Sequence, residues 1–205
     1  MTDHYPVAVL VSGNGSNLQA ILDAAEAPGY GAEVAVVISD RPDVKALDRA
    51  EAAGVPAAVV DWSMMSDRDT FTAAVCDVAE AHGARALVLA GFMRVLGPSA
   101  IARFPDRILN IHPALLPSFP GLEAVGKAVA HGVKVSGVTV HFVDEEVDHG
   151  PIIAQEIVPV LPDDTEDTLH ARIQEIEHDV YPRVLDALAR GRLRIDGRVV
   201  RWEEP

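Results

Sequence analysis

Short apolar segments that alternate with helical patterns limit the folds open to this chain. Five such segments, each four or five residues long and rich in Val, Ile and Leu, lie at Val7–Val11, Val34–Ile38, Ala57–Val60, Ala86–Ala90 and Ile108–Ile111. Between most of them the apolar residues recur with helical spacing, at Ser16–Ala27, Asp43–Ala53, Ser66–His82 and Pro98–Phe104. Strands that are apolar along their whole length are typical of parallel sheets with helices on both faces. The sequence therefore predicts an α/β fold with a Rossmann-like, mostly parallel sheet.

The pattern changes after the fifth apolar segment. A helical pattern precedes two longer β-type segments joined by an acidic turn, and we expect an antiparallel extension of the sheet there. A long amphipathic helix and a hairpin follow. The ranges are Leu122–His131, Lys134–Val143, Pro151–Val160, Thr165–Arg190, Leu193–Ile195 and Val199–Trp202. Because no repeat or low-complexity linker interrupts the pattern, we expect a single domain over 1–205, with an N-terminal half of about 1–105 and a C-terminal half of about 106–205.

Composition and charge exclude several kinds of partner. The 205 residues are 49% hydrophobic, and 31 acidic against 17 basic side chains give a net charge of −14. A balance this acidic works against binding to nucleic acid, whose phosphates would repel it. No stretch approaches the roughly 18 apolar residues of a membrane span, and the N-terminus lacks the basic and apolar regions of a secretory signal. We therefore expect a cytoplasmic protein without a nucleic acid or membrane partner.

Cysteine usage limits the covalent and metal chemistry. Cys76 is the only cysteine, so the chain can form neither an internal disulfide nor a cysteine-based zinc site. Its place within an apolar helical pattern predicts a small buried hydrophobic side chain.

Two polar side chains end the fifth apolar segment. Asn110 and His112 stand just before the proline-stiffened loop that begins at Pro113. Residues two apart in a strand point to the same side, so an amide and an imidazole can converge on one reacting atom. Polar side chains on an apolar strand would otherwise need buried partners. The pattern indicates a reaction centre, with a pair of structural hydrogen-bonding residues as the alternative.

A glycine-rich loop follows the first apolar segment. Ser12-Gly-Asn-Gly-Ser-Asn17 joins a strand to a helix start, where exposed backbone N–H groups and the helix dipole favour an anion. We predict a phosphate site to which Ser16 and Asn17 add side-chain donors. The alternative is a turn that only starts the helix, which leaves the cluster of Asn14, Ser16 and Asn17 unexplained.

Two common nucleotide motifs fit poorly. The dinucleotide fingerprint requires a third glycine where Leu18 stands, although Asp40 could imitate the acid that binds the ribose. A Walker loop requires Ser or Thr after Gly126-Lys127, where this chain has Ala128. The sequence therefore favours neither a dinucleotide nor a nucleoside triphosphate.

An imidazole at a reaction centre needs a group that sets its charge. A nearby carboxylate raises the pKa of a histidine and orients its ring. Asp148, in the turn before Gly150-Pro151, is the candidate. The same turn carries Asp144, Glu145 and Glu146, and the alternative is that all four carboxylates are simply solvated.

Four sequence blocks carry a specific resemblance. They are Ser12-Gly-Asn-Gly-Ser-Asn-Leu-Gln-Ala20, Leu89-Ala-Gly-Phe-Met-Arg-Val-Leu96, Leu109-Asn-Ile-His-Pro-Ala-Leu-Leu-Pro117 and Val138-Thr-Val-His-Phe-Val-Asp-Glu-Glu-Val-Asp-His-Gly-Pro151. Together these blocks closely resemble the phosphoribosylglycinamide formyltransferase family, the folate-dependent enzymes of purine biosynthesis. The likeness runs in order from about Val7 to the C-terminal helix, and it implies the formyltransferase fold.

The resemblance assigns roles to particular residues. The implied catalytic residues are Asn110, His112 and Asp148. The substrate glycinamide ribonucleotide is implied to bind at Gly15, Ser16, Asn17, Gly91, Pro113 and Glu177, with its phosphate at the glycine-rich loop. The folate is implied to contact Arg68, Met93, Arg94, Val95, Leu96 and Asn110. The N-terminal half is then expected to bind phosphate, and the C-terminal half is expected to be catalytic and to bind folate, with Asn110 as its implied folate contact.

The implied reaction moves the formyl group of 10-formyltetrahydrofolate to the amine of glycinamide ribonucleotide. Asn110 and protonated His112 would stabilise the oxyanion, and Asp148 would hold His112 in its charged form. No metal is needed, and the histidines show no metal-ligand spacing. The resemblance also implies a cis Leu116–Pro117 bond, and it is compatible with a homodimer.

Two positions depart from the family pattern. Val125 stands where many members carry His, so a supporting role of that His is absent here. His149 replaces a small residue beside Asp148, and we expect it to face water rather than to perturb the acid.

Three other functions compete with this one. Formyltetrahydrofolate deformylase would use water as the acceptor, but it normally carries an extra N-terminal domain, and the first strand here begins by Val7. Methionyl-tRNA formyltransferase has a further C-terminal domain for its tRNA, which an acidic chain of this length would not provide. A non-catalytic nucleotide-binding module would keep the loop at Gly13–Asn17 and have no need of Asn110, His112 and Asp148.

Overall fold

A computed structural model describes residues 4–203, which fall into two compact units that divide between Leu109 and Asn110. The first unit contains four parallel strands in the order β3-β2-β1-β4. A fifth strand crosses the division between the units. The strands are β1 Tyr5–Val11, β2 Ala32–Ser39, β3 Ala57–Val59, β4 Ala86–Leu89 and β5 Ile108–His112. Each overlaps the apolar segment predicted for it, and the mostly parallel sheet is confirmed.

Helices connect the strands of the first unit. They are α1 Ser16–Ala25, α2 Lys45–Ala52, α3 Arg68–Ala81 and α4 Pro98–Arg103, with one 3-10 turn at Trp62–Met64. Strand β1 is buried at every position from Val7 to Val11, and since successive side chains alternate between faces, both faces of the strand are covered. Cys76 is fully buried in α3, and burial raises its pKa to about 11, as expected of a structural thiol.

The second unit is the predicted antiparallel extension. Strands β6 and β7 pair antiparallel, β8 and β9 form the antiparallel terminal hairpin, and β9 pairs with β7. Two helices accompany these strands. The elements are α5 Ala124–His131, β6 Val135–Phe142, β7 Ile152–Pro159, α6 Glu166–Ala189, β8 Leu193–Asp196 and β9 Val199–Trp202.

The long helix α6 begins and ends where its sequence indicates. The hydroxyl of Thr165 accepts the N–H of Thr168, and the Thr168 hydroxyl accepts the N–H of Thr165, which is a reciprocal capping box. Gly191 follows the helix at a φ of 67°. The buried face of α6 packs Leu169, Ile173, Val180 and Val184 into the core of the second unit. Among residues 4–203, no helix is long and apolar enough to cross a membrane.

Candidate active site

The carboxylate of Asp148 joins the two polar side chains at the end of β5. Its Oδ1 accepts an N–H from Asn110 Nδ2 at 3.2 Å, and its Oδ2 lies 3.3 Å from His112 Nδ1. The spacing of two along a strand does place the amide and the imidazole where both reach one group. The structure therefore brings together the three residues predicted to be catalytic, although 36 residues of sequence separate His112 from Asp148.

The loop after β5 fixes the ring of His112. Its Nε2 lies 2.8 Å from the carbonyl of Phe119, and because a carbonyl can only accept, Nε2 carries a hydrogen. Nδ1 is then the nitrogen that gains or loses a proton, and it faces Asp148. The Leu116–Pro117 bond is cis, as predicted. The buried Thr139 of β6 anchors this loop, since its hydroxyl donates to Ala114 and accepts the N–H of Leu116.

Asp148 is held in an unusual backbone conformation. Its φ is 52°, in the left-handed region that few residues other than Gly, Asn and Asp adopt readily. The N–H of Gly121 donates to Oδ2 at 2.7 Å. Two residues after Asp148, a Cβ added to Gly150 would lie 2.0 Å from the carbonyl oxygen of Phe142, so only glycine fits at this position. Backbone geometry and a hydrogen bond together direct the carboxylate at Asn110 and His112.

His141 is a member of this cluster that the sequence analysis did not assign to the site. In its neutral form Nδ1 donates to the carbonyl of Phe142 at 2.7 Å, so Nε2 accepts from Asn110 Nδ2 at 3.1 Å. The same Nε2 lies 3.7 Å from Asp148 Oδ1. His141 is buried on β6, and a histidine within a mainly apolar β-type segment is a signal that could have indicated it, as a polar side chain did for Asn110.

Burial sets the charge of the imidazole. It lowers the pKa of His112 more than the carboxylate of Asp148 raises it, so the net pKa lies below the ordinary value. Asp148 therefore favours the charged imidazole, as expected, and burial opposes this influence more strongly. Burial also raises the pKa of Asp148, but the nearby imidazole of His141 and the hydrogen bond from the N–H of Gly121 outweigh it, and the net pKa is lowered. Asp148 is the charged partner.

The two departures from the family pattern are structural. Val125 is buried in α5. His149 is exposed, and its ring hydrogen-bonds Asp144 at 2.7 Å through Nδ1, while the guanidinium of Arg198 reaches its Nε2 and its carbonyl. The imidazole of His149 thus bonds away from Asp148, in agreement with the expectation that it does not perturb the acid. Within residues 4–203, no group of three or more His, Cys, Asp and Glu side chains could hold a metal ion.

The glycine-rich loop of the first unit has the form of an anion site. Gly15 precedes α1 at a φ of 73°, and Ser16 and Asn17 are the first residues of the helix. The first backbone N–H groups of a helix lack partners in their own helix, so an anion can accept them. Asn14 does not point its side chain at this helix start, since its Oδ1 accepts from Arg49.

Residues implied for the folate follow β4 in the same unit, directly after Gly91, which is implied for the nucleotide. Gly91 has a φ of 69°, Met93 and Val95 are exposed, and Leu96 is buried. The N–H of Met93 donates to the hydroxyl of Ser12 at 2.8 Å. This places the loop that follows β4 beside the end of β1.

Arg94 and Asp40 form an ion pair. Arg94 Nε donates to Asp40 Oδ2 at 2.7 Å, and its guanidinium lies over the ring of Trp62. Burial raises the pKa of Asp40, but hydrogen bonds from Arg41, Ser12 and Arg94 outweigh it and lower the net value. Because the Asp40 side chain is completely buried in these contacts, it is not placed to bind a ribose, which removes the remaining support for a dinucleotide site.

Three further residues are implied for ligand binding. Arg68 is the first residue of α3, with its Nε 3.8 Å from Asp69 and about half of its side chain exposed. Glu177 is buried in α6, an acid on the helix face that carries Ile173 and Val180. Pro113 directly follows His112 and is half-buried.

Known proteins match this fold and these motifs. A solved glycinamide ribonucleotide transformylase 1 from Symbiobacterium toebii superposes with a TM-score of 0.96 at 49% identity, over 98% of this chain and 95% of that one. The phosphoribosylglycinamide formyltransferase of Bacillus subtilis is 40% identical over 88% of this chain and 93% of its own length. The predicted fold class, the formyltransferase fold, is confirmed.

Other relatives differ in length or in reaction. A trifunctional purine biosynthetic protein of Drosophila melanogaster is 46% identical over 94% of this chain, which spans only 14% of that protein. A formyltetrahydrofolate deformylase from Pseudomonas syringae has a TM-score of 0.91, but the identity is 27% and the match covers 67% of that protein. The deformylase is therefore the more distant of these relatives.

A family model supports the same grouping. The model described as formyl transferase matches residues 6–185, which include the glycine-rich loop, β5 and the turn that carries Asp148. The chain therefore belongs to the formyl transferase family, with the phosphoribosylglycinamide formyltransferases.

Proposed function

We propose that this protein transfers the formyl group of 10-formyltetrahydrofolate to the amine of glycinamide ribonucleotide, producing formylglycinamide ribonucleotide and tetrahydrofolate in purine biosynthesis. The observation that carries the proposal is the carboxylate of Asp148 in contact with both Asn110 and His112. The relatives of matching length support the choice of substrates. A module that only binds nucleotides would have no use for this buried arrangement.

The chemistry needs positioned hydrogen bonds and a place for one proton. The substrate amine is a nucleophile, so it can attack the formyl carbon without a covalent enzyme intermediate. The carbonyl oxygen becomes an oxyanion, and the C–N bond to the folate then breaks. Over the whole reaction the amine loses a proton and the departing folate nitrogen gains one.

Asn110 is suited to the oxyanion. Its two amide hydrogens are directed at His141 Nε2 and Asp148 Oδ1 in the protein alone. We propose that the oxyanion replaces one of these acceptors, while the other keeps the amide in place. A hydrogen bond aimed in advance at developing charge lowers the barrier because little reorganisation is needed during the reaction.

His112 and Asp148 are suited to hold the proton. A charged carboxylate close to Asn110 would repel an oxyanion at the same amide. The repulsion is relieved if the proton released by the amine resides on the imidazole while the oxyanion exists. Since burial keeps the pKa of His112 low, the ring is ready to accept that proton at Nδ1, next to Asp148, and then to release it to the folate nitrogen.

A product assay tests this function. The protein is incubated with 10-formyltetrahydrofolate in the presence and in the absence of glycinamide ribonucleotide, and tetrahydrofolate is measured. We expect release only when the nucleotide is present, with one formylated nucleotide formed for each tetrahydrofolate. Equal release of tetrahydrofolate without the nucleotide would identify a deformylase instead. No release in either case would indicate a protein that binds nucleotides without catalysing the transfer.

Replacing Ser16 and Asn17 together with alanine tests the phosphate site. Both residues begin α1, where we propose that the nucleotide phosphate accepts their hydrogen bonds. We expect the KM for glycinamide ribonucleotide to rise by about tenfold or more, since a lost hydrogen bond to a charged group commonly costs that much. Steady-state kinetics in each substrate provides the measurement.

The folate substrate is the internal control for this double variant. Its KM should change far less than that of the nucleotide. Ser16→Ala alone disturbs the fold less, because Asn17 is buried and Ser16 is not. A similar loss of affinity for both substrates would argue against a phosphate role for the loop.

A further inference from the structure

Arg49 reaches from the middle of α2 to the glycine-rich loop. Its Nε donates to the carbonyl of Asn14 at 2.9 Å, and one terminal nitrogen donates to Asn14 Oδ1 at 3.3 Å. The other terminal nitrogen donates to Gln19 Oε1, on the first turns of α1, at 2.9 Å. One guanidinium therefore holds both the loop and the helix that follows it.

A backbone N–H of α2 holds the peptide that precedes Asn14. The N–H of Ala46 donates to the carbonyl of Gly13 at 3.1 Å. The loop also lies tightly against α2 at Gly15, where an added Cβ would come within 2.7 Å of the Cβ of Ala46 and 2.9 Å of its Cα. The carbonyls of Gly13 and Asn14 are thus both turned towards α2, which is packed directly against the loop.

Peptide geometry determines the direction of the neighbouring N–H groups. In a planar trans peptide the N–H points opposite to the C=O. With the carbonyl of Gly13 bonded to Ala46 and that of Asn14 to Arg49, the N–H groups of Asn14 and Gly15 are directed away from α2. Successive backbone N–H groups that point to one side form a concave anion site.

We propose that Arg49 is a positioning residue for phosphate binding, an inference that rests on the function proposed above for the loop. It holds the Asn14 carbonyl away from the anion, so that the N–H of Gly15 and the start of α1 face the phosphate. Because its donors are used by Asn14 and Gln19, Arg49 acts mainly through the shape of the loop rather than as a free cation.

Arg49→Ala tests the proposal, with Lys45→Ala as the matched control. Lys45 is exposed on the same helix, and its loss changes the net charge equally. We expect Arg49→Ala to raise the KM for glycinamide ribonucleotide by roughly tenfold or more, with kcat and the KM for folate changed less than about threefold. Lys45→Ala should behave like the parent. Equal nucleotide KM values in the two variants would overturn the inference.

Arg49→Lys separates shape from charge. Lysine keeps the positive charge but lacks the planar fork that binds Asn14 and Gln19 at once, so we expect it to recover only a small part of the lost affinity. Full recovery would show that charge alone matters and would overturn the positioning role. The midpoint of thermal unfolding of each variant, measured without ligand, identifies any loss of fold.

Inorganic phosphate provides a readout that does not depend on the transfer reaction. The rise in melting temperature with added phosphate should be smaller in Arg49→Ala than in the parent and in Lys45→Ala. A parent that releases tetrahydrofolate without the nucleotide would contradict the proposed function, whatever Arg49 does. A parent that requires the nucleotide, together with unchanged phosphate stabilisation in Arg49→Ala, would contradict this inference alone.

Discussion

Turnover by Asn110→Ala is expected to be about a hundredfold or more below that of the parent protein, the usual cost of losing one oxyanion donor. The substitution removes both amide hydrogens that now bond His141 and Asp148, so no donor remains for the oxyanion. Because that charge exists mainly in the transition state, kcat should fall while the affinity for glycinamide ribonucleotide changes little. Single-turnover kinetics and titration calorimetry measure these two quantities separately.

The dissociation constant is the control that separates catalysis from folding in this variant. A misfolded site would lose nucleotide affinity together with rate, whereas loss of an oxyanion donor would lower the rate alone. Asn110→Asp offers a matched comparison, since it keeps the shape of the side chain and replaces the amide donors with acceptors. It should be at least as slow as the alanine variant. Near-normal turnover in either protein would remove Asn110 from the proposed mechanism.

Much of the fold follows from local sequence patterns. The apolar segment Val34–Ile38 predicted a strand, and β2 covers Ala32–Ser39, because a strand buried within a parallel sheet is apolar along most of its length. The reciprocal bonds of Thr165 and Thr168 start α6 at the predicted residue. Such signals depend on neighbours in the sequence, so they can be recognised before any tertiary structure is known.

The candidate site is less accessible to the same reasoning. The spacing of Asn110 and His112 indicates a reaction centre. For Asp148 the local sequence shows only one of four acidic residues in a turn, and its catalytic role is implied by the family resemblance. Its role depends on a left-handed backbone and on a hydrogen bond from Gly121, 27 residues earlier. The hydrogen bond between Asn110 and His141 joins two strands 31 residues apart in sequence, so the sequence gives at most the polar side chain and not its partner.

The charge of His112 illustrates a quantity that local sequence cannot give. The sequence suggests a carboxylate neighbour, which raises the pKa of the imidazole, but the larger influence is burial, which lowers it. Burial depends on the folded structure around the ring, which the neighbouring sequence does not show. The role proposed for Arg49 likewise depends on tertiary structure, since 35 residues of sequence separate Arg49 from Asn14.

Asp148→Asn is expected to lower turnover near neutral pH by roughly a hundredfold or more, the scale of losing a general acid–base group. Asparagine tolerates the left-handed backbone that Asp148 adopts, so the loop should keep its path. The substitution removes the negative charge 3.3 Å from His112 Nδ1. That charge raises the pKa of His112, so its removal should lower a pKa that burial already holds below the ordinary value.

Titration of His112 by NMR, in the parent and in the variant, measures the electrostatic part of this prediction. In the parent the imidazole is charged only below its lowered pKa, and in Asp148→Asn the charged form should require still lower pH. Glu145→Gln is the matched control, since it removes one negative charge from an exposed position in the same turn and should alter neither turnover nor the titration of His112. A slow variant with an unchanged His112 pKa would reduce Asp148 to a proton relay. Unchanged turnover would show that the reaction proceeds without the carboxylate of Asp148 and would remove this residue from the proposed mechanism.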